Sequence, residues 1–301
     1  MSPAARPASE IYSVATHAMG SDRPIPALEE LHTDLPEDFS IRRGPVELPE
    51  EEPEPFKGTA QVGTRWCRVR SIAAPDCDFL EISGAGVFRI DKKEITIDPE
   101  PGADEAAIEE ALLGPVFALA LAREGIFVLH ASAVIFPEGV VAFLGDSGTG
   151  KSTLARLLVE TGDAALAADD LLPIGSSGAA YPHFPQLKLD PAAMKAIAGL
   201  KRVERLLEIC VLVPGPPGSA VDGKVLGPGG AAGHLLRNTI AGSLFSADLL
   251  TRQLGFSTLL ASNVQVRRLN VPRRLDVGPQ VIRHLGLNPG PRSLLEKLLL
   301  P

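Results

Sequence analysis

The sequence predicts an α/β protein, α+β overall, in which a small antiparallel β unit precedes a larger α/β core. Two observations predict this class. Short runs that alternate apolar and polar residues follow one another over residues 64–97, as in antiparallel strands. At residues 139–160, a glycine-rich turn lies between an apolar run and an amphipathic stretch, which is the strand–turn–helix order of α/β domains.

The β unit contains four segments that are typical of strands and are separated by turn residues, namely residues 66–70, 78–82, 86–90 and 94–97. Before it, residues 1–60 are rich in Pro and Glu, and the run 48–55 is typical of a solvated linker. We therefore expect a partly flexible N-terminal segment (1–60), a β subdomain (61–103), a main α/β domain (104–290) and a C-terminal tail (291–301).

The main domain begins with a predicted helix over residues 104–123, with Asp104 as its N-cap and Gly125 as its stop. Further predicted elements are strands at 127–130, 133–136, 139–144, 209–213 and 264–269, and a helical region at 234–261. The segment 214–233 is dense in Gly and Pro and is expected to be a loop.

Residues 145–152 read Gly-Asp-Ser-Gly-Thr-Gly-Lys-Ser and match the pattern G-x-x-x-x-G-K-[ST]. We call them the phosphate loop. Glycines let backbone N–H groups surround a polyphosphate at the start of a helix. Lys151 would reach the β- and γ-phosphates, and the Ser152 hydroxyl would bind Mg²⁺. The alternative is a glycine-rich turn without a ligand. The predicted ATP-binding residues are Gly145, Asp146, Ser147, Gly148, Thr149, Gly150, Lys151, Ser152 and Thr153.

Asp169 and Asp170 follow a short apolar run after the loop helix and are expected at the end of a strand. Carboxyl ends of neighbouring strands face one crevice, so the two carboxylates should lie near the γ-phosphate. One carboxylate can hold Mg²⁺, for which we name Asp169 together with Ser152, and the other can accept a proton from a hydroxyl. The alternative is a pair of turn or capping aspartates.

Three segments together resemble HPr kinase/phosphorylase, namely Leu-His-Ala-Ser-Ala-Val at 129–134, the loop at 144–152, and Ala-Ala-Asp-Asp at 167–170. The likeness spans residues 104–275. It is closer to the HPr-kinase-like serine kinases found beside peptide-modification genes of lasso-type clusters, because a glutamate- and arginine-containing signature of HPr kinases is missing. The resemblance implies a phosphoenolpyruvate-carboxykinase-like P-loop core and an oligomeric assembly. It also implies that Asp169 or Asp170 is the general base and that His130 lies near the phosphate site.

Four further residues are weaker candidates for the site, because the sequence alone fits either a functional or an ordinary structural role for each. His130 suits a core histidine at a strand end as well as a catalytic residue. Lys188 could neutralise transferred phosphate or be an ordinary surface lysine. Arg237 and Arg252 could stabilise a transition state, but exposed arginines are common on helices.

Composition restricts the partners. The net charge of −8 argues against nucleic acid, because a basic field is needed to collect phosphates. Cys67, Cys77 and Cys210 lack metal-ligand spacing and are typical of reduced thiols. The apolar stretch 111–122 is too short to span a bilayer, and the N-terminus has no signal core. We therefore expect a cytoplasmic protein with no membrane partner.

The function predicted from these features is an ATP- and Mg²⁺-dependent kinase. It would transfer the γ-phosphoryl group to a serine or threonine hydroxyl of a peptide or protein, with Asp169, Asp170, Lys151 and His130 as catalytic residues. Two alternatives stay open. The same site could phosphorylate a small molecule, or the protein could bind ATP as a regulatory sensor without transfer.

Overall fold

The computed structural model describes residues 10–49, 56–63, 65–161, 164–186 and 188–287. It is a mixed α/β fold with two β-sheets. The chain divides into two compact units, Met1–Glu124 with Ala241–Leu250 and Gly125–Ile240 with Thr251–Pro301. The expected C-terminal tail 291–301 lies outside the described residues.

The first unit is built on an eight-stranded sheet. Its strands are β1 (Glu10–Val14), β2 (His17–Ser21), β3 (Phe39–Arg43), β4 (Phe56–Val62), β5 (Arg65–Ala73), β6 (Asp78–Ile82), β7 (Gly86–Ile90) and β8 (Glu94–Pro99). Their order across the sheet is β1-β2-β3-β8-β7-β6-β5-β4. The meander β5–β8 is antiparallel. In β8 the residues alternate, with Ile95 and Ile97 buried, which is the period-2 pattern of a strand with one covered face.

This sheet is larger than the β unit expected from the sequence, because strands β1–β3 come from the segment expected to be partly flexible. Strand β3 pairs in parallel with both β2 and β8. Tyr12, Met19 and Leu28 of this segment are fully buried. Its strands have five residues each, so they are too short to stand out among frequent Pro and Glu residues. Residues 50–55 of the expected linker lie outside the described residues.

The helix expected at 104–123 forms, but it is interrupted. It consists of α1 (Glu105–Ala111), a π-helical turn (Leu112–Val116) and α2 (Phe117–Arg123). Asp104 is the N-cap, and its carboxylate accepts a hydrogen bond from the Ala106 N–H. Pro115 lies within the π turn. Proline has no N–H to donate to the preceding turn, which explains the local widening of the helix.

The second unit is built on a seven-stranded sheet. Its strands are β9 (Ile126–Phe136), β10 (Gly139–Leu144), β11 (Ala165–Gly175), β12 (Ala179–Ala180), β13 (Glu204–Gly215), β14 (Asp222–Val225) and β15 (Gln265–Pro272). The order is β10-β9-β11-β12-β13-β15-β14, and β10 also pairs in parallel with β13. These pairings close β10, β9, β11, β12 and β13 into a ring.

Five helices accompany the second sheet in the described part of the chain. They are α3 (Lys151–Glu160), α4 (Pro191–Ala198), α5 (Pro228–Arg237), α6 (Ala247–Asn263, whose first four residues belong to the first unit) and α7 (Gly278–Leu285). The core between α3, α7 and the sheet includes Phe143, Leu154, Leu158, Leu212 and Val281. Helix α3 therefore packs its apolar face on the strands that flank the phosphate loop.

Two local expectations for this unit were wrong. The strands expected at 127–130 and 133–136 are one continuous strand, β9, because a partner runs along its whole length. The segment 214–233 contains β14 and the first turns of α5. Pro228 is the first residue of α5, where proline needs no N–H partner, so the Gly and Pro residues here conceal a helix start.

Candidate active site

The phosphate loop joins the end of β10 to the beginning of α3. Gly145, Gly148 and Gly150 have φ angles of +146°, +78° and +98°, a region that residues with a Cβ rarely adopt. Helix α3 begins at Lys151, directly after Gly150. The three glycines therefore allow the chain to turn sharply and present the helix N-terminus, which favours a negatively charged ligand.

Two side chains hold the loop together. The Thr149 hydroxyl donates to the Asp146 carbonyl at 2.8 Å, and the Lys151 ammonium donates to the carbonyls of Gly145 (2.7 Å) and Asp146 (3.3 Å). Burial lowers the pKa of Lys151, and among the nearby charges Asp170 opposes this shift most strongly. Among the described residues, the hydrogen-bond partners of the Lys151 ammonium are carbonyls, and a buried cation of this kind attracts an anion.

Replacing Gly145 by alanine is expected to destabilise the second unit by about 1–3 kcal/mol, because a Cβ at this φ is strained. The added Cβ would also lie 2.9 Å from the Thr149 hydroxyl oxygen. Urea unfolding followed by circular dichroism measures the change. Gly255→Ala is the control, since Gly255 is in the middle of α6 with open space around it. Gly255→Ala should leave the free energy of unfolding unchanged or raise it. Equal effects of the two substitutions would show that Gly145 is not required by a strained backbone.

Strands β9 and β11 position the two aspartates. Asp169 is opposite Ser132, Asp170 is opposite Ala131, and Leu171 is opposite His130. The aspartates were expected at a strand end, and this was wrong, because β11 continues to Gly175. The continuation is possible because β9 extends beyond the edge of β10 and pairs with the second half of β11. The pair therefore lies in the middle of a strand, beside the phosphate loop.

Asp169 is buried and is joined to the loop helix through a serine. The Ser132 hydroxyl donates to the Asp169 carboxylate at 2.7 Å, and it lies 3.4 Å from the Ser152 hydroxyl. Arg156 of α3 is 3.7 Å from the other carboxylate oxygen. The Asp169 N–H donates to the Gln186 side-chain carbonyl. Ser132 thus connects the two residues that the sequence predicted as magnesium ligands.

Replacing Ser132 by alanine is expected to lower the free energy of unfolding by about 1–3 kcal/mol, because a buried carboxylate loses a donor. Ser257→Ala is the matched control. Ser257 is also fully buried, but its hydroxyl has no hydrogen-bond partner among the residues that the structure describes. Denaturant unfolding of both variants separates the effect of losing a hydrogen bond from the effect of losing the volume of a hydroxyl group. Equal destabilisation would show that the hydrogen bond from Ser132 to Asp169 does not contribute to stability.

Asp170 has an unusual backbone conformation, and its carboxylate contacts two basic side chains. Its φ angle is +139°, which costs a residue with a side chain about 1–3 kcal/mol. One carboxylate oxygen lies 3.1 Å from His130 Nε2, and the other lies 2.9 Å from the Lys188 ammonium. Burial acts to raise the pKa of Asp170, but the hydrogen bonds and charges of His130 and Lys188 outweigh it and lower the pKa below its ordinary value. Asp170 is therefore a carboxylate at neutral pH.

Replacing Lys188 by methionine is expected to raise the pKa of Asp170, because a hydrogen bond and a positive charge that oppose the effect of burial are then lost. If Asp170 must be ionised for activity, the acid limb of kcat/KM moves to higher pH. The pH profile of phosphoryl transfer measures this shift. Lys224→Met, at an exposed position in β14, should leave the limb in place. An unmoved acid limb in the Lys188 variant would contradict the coupling.

Two cavities adjoin the phosphate loop. One of about 380 Å³ is lined by Gly148, Gly150, Thr153, by apolar residues of α3 and β13, and by Arg273 and Arg274 after β15. The other, of about 310 Å³, lies between the loop, the end of β13 and the last turn of α5. The phosphate loop therefore borders two cavities, and two arginines line the first of them.

The oxygen atoms near the loop suit a hard divalent cation that also binds phosphate. Ser152 supplies a hydroxyl and Asp169 a carboxylate, which are ligand types of Mg²⁺. Within the described ranges, no group of three or more His, Cys, Asp or Glu side chains could hold a metal ion. Mg²⁺ usually keeps waters and substrate phosphates among its ligands, so the smaller donor set fits a cation that arrives with ATP.

The structure thus brings together Lys151, Ser152, His130, Asp169 and Asp170. Lys188 joins them through Asp170, and Arg237 lines the 310 Å³ cavity. Arg252 does not join them, since its guanidinium lies beside Gly125, at the start of β9. Ser132 and Gln186 were missed. A buried serine in a strand has no sequence signal of its own, and Gln186 becomes informative only once its amide is seen to bond Leu171 and Asp169.

No protein-family model and no curated protein matches the chain. Among solved structures, the chain is similar to the HPr(Ser) kinase/phosphatase from Coxiella burnetii, at 13% sequence identity and a TM-score of 0.29. The match covers 52% of this chain and 95% of that chain. At this distance the likeness assigns no family to the chain. Among the described residues, no helix is long and apolar enough to cross a membrane.

Proposed function

We propose that the protein is an ATP-dependent phosphotransferase that moves the γ-phosphoryl group to a serine or threonine hydroxyl of a peptide or protein. One observation carries this proposal. Asp170 combines a strained backbone with side-chain contacts to His130 and Lys188, and among the nearby charges it has the largest effect on the pKa of Lys151. Strain of this kind is retained where a side chain must be held for function.

The donor would bind through the phosphate loop. Backbone N–H groups from Gly145 to Thr153 and the Lys151 ammonium would contact its phosphates. Its nucleoside would occupy the 380 Å³ cavity, where Leu157, Leu212 and Val277 supply an apolar wall. When bound with ATP at Ser152 and Asp169, Mg²⁺ supplies positive charge beside the phosphate oxygens.

Asp170 would act as the general base. Its carboxylate accepts the proton of the acceptor hydroxyl as the hydroxyl oxygen forms a bond to the γ-phosphorus. The bond between that phosphorus and the β–γ bridging oxygen breaks, and ADP leaves with the electron pair. His130 and Lys188 keep Asp170 ionised and oriented before the acceptor binds. Lys151 neutralises charge on the transferring group.

The acceptor side of the site favours a peptide. The side chains of Lys188 and Arg156 are 62% and 65% exposed, so the approach to the aspartates is open to solvent and not enclosed. A small-molecule kinase needs a closed pocket to exclude water from the donor. A nucleotide sensor without transfer has no need of a strained carboxylate beside the phosphate site.

The experiment uses γ-³²P-labelled ATP with Mg²⁺ and three acceptor pools. One pool is a degenerate peptide library with serine or threonine at a fixed position, the second is the same library with alanine there, and the third contains small hydroxyl metabolites. We expect label only in the first pool. Label in the metabolite pool alone would favour the small-molecule kinase. Nucleotide binding with no label in any pool would favour the sensor.

A further inference from the structure

A second wall faces the phosphate loop across the 310 Å³ cavity. The loop side is formed by Gly145, Asp146 and Thr149, and the opposite side by His234, Arg237 and Asn238 of α5 and its C-cap. The charge of Asp146 acts to raise the pKa of His234, so the two sides of the cavity are close enough for their charges to interact. The proposed mechanism assigns no role to this wall.

The end of α5 is fixed to the strand that carries His130. The His130 N–H donates to the Asn238 carbonyl at 2.7 Å, and the Ile240 N–H donates to the Val128 carbonyl at 2.8 Å. The Leu235 side chain anchors the same turn in the core. Arg237 precedes Asn238, so its backbone position is set relative to His130 and hence to the partner of Asp170.

The Arg237 guanidinium is available to an anion. Its Nη2 donates to His234 Nδ1 at 3.3 Å. Burial lowers the pKa of His234, and Arg237 and Arg268 lower it further, so the imidazole is neutral at pH 7 and can accept. No carboxylate lies within ion-pair distance of Arg237 in the part of the chain that the structure describes, whereas Lys188 and Arg156 contact Asp170 and Asp169.

We propose that Arg237 is a catalytic residue that contacts the terminal phosphoryl group of the donor in this cavity, and that His234 is its positioning residue. The inference rests on the proposed function, since it assigns a cation to the same transfer. A planar guanidinium donates two parallel hydrogen bonds to phosphate oxygens. Such a cation stabilises the charge on the phosphoryl group as the bond to ADP breaks, and it exchanges no proton in the step.

The test is the binding of Mg–ADP and of Mg–ADP–aluminium fluoride, which places a phosphoryl-like group beside ADP without any acceptor. We expect Arg237→Ala to weaken the aluminium fluoride complex by about 100-fold, as for other single donors to transition-state charge, and to change ADP affinity less than threefold. Arg237→Lys should recover part of the loss. Arg252→Ala is the matched control, because Arg252 is also a helical arginine of the second unit and lies outside the cavity.

His234 is tested by a conservative replacement. His234→Ala should weaken the aluminium fluoride complex less than Arg237→Ala does. His234→Gln, which keeps an acceptor for the guanidinium, should recover the affinity. An aluminium fluoride complex that binds equally well to wild type and Arg237→Ala would overturn the proposal. Selective loss in Arg237→Ala, with no peptide phosphorylated, would support the arginine contact and overturn only the proposed acceptor.

Discussion

Replacing Asp170 by asparagine is expected to lower the rate of phosphoryl transfer by about 10²- to 10⁴-fold, the usual contribution of a general base. Asparagine keeps the shape of the side chain and tolerates positive φ as well as aspartate does. The strained backbone should therefore persist while the proton acceptor is lost. ATP affinity should change little, because the loop amides and the Lys151 side chain, which would contact the phosphates, are both retained. Single-turnover transfer and ATP titration measure the two effects separately.

The matched control for this variant is Asp222→Asn, at an exposed position in β14. It should transfer at the wild-type rate. If Asp170→Asn also transferred at that rate, Asp170 would not be the base. If Asp169→Asn alone lost transfer, and higher Mg²⁺ concentrations did not restore it, the roles that we propose for the two aspartates would be reversed.

Replacing Lys151 by methionine is expected to lower transfer by about 10²- to 10³-fold, the cost of removing one donor to transition-state charge. Unlike Asp170→Asn, it should also weaken ATP binding, because the ammonium contacts the donor before and during transfer. Folding should not suffer. Lys151 is a buried cation whose pKa is lowered by its burial, so an uncharged side chain of similar length removes a desolvation cost that offsets the loss of the hydrogen bonds to the Gly145 and Asp146 carbonyls.

Lys195→Met, at an exposed position in α4, is the control for the lost charge. Isothermal titration with Mg–ATP, together with thermal unfolding of the same samples, checks both expectations. Undiminished ATP affinity in Lys151→Met would show that the loop does not hold the phosphates. A large fall in melting temperature would show that the lysine is structural.

The phosphate loop and its flanks could be predicted from sequence because its chemistry is local. A glycine at each position of positive φ, a lysine and a serine must lie within eight residues, so the pattern and the structure coincide. The meander β5–β8 was predictable for a similar reason, since its strands are separated by short turns and keep a period of two. Elements of this kind can be predicted without knowing which distant segments they contact.

Elements that depend on distant pairing were not predictable. Strand β3 pairs with β8, which is about fifty residues further along the chain, and β2 and β1 are added to the sheet through β3, so no local pattern encodes their place. The mid-strand position of Asp169 and Asp170 depends on the length of β9 beyond β10. Apolar runs indicate that a strand exists, but they do not indicate where its partner ends.

The residues around the aspartates show the same limit. The sequence named His130 and the aspartate pair and assigned Asp169 to Mg²⁺, but it left open which carboxylate is the general base. Their contacts differ, since Asp169 is linked through Ser132 to Ser152 and Asp170 contacts His130 and Lys188, and the roles that we propose are based on this difference. Ser132 could not be chosen in advance, because a small residue in a buried strand fits a packing role equally well.

The most direct test of this account is a rapid-quench single turnover with γ-³²P-labelled ATP, Mg²⁺ and the serine-containing peptide library. ADP and acid-stable phosphoserine are quantified in the same samples. We predict that the two products form at the same rate and in a 1:1 ratio, and that both form about 10²- to 10⁴-fold more slowly in Asp170→Asn. ADP formed with inorganic phosphate in place of phosphoserine, or phosphoserine formed equally well by Asp170→Asn, would contradict transfer from this site.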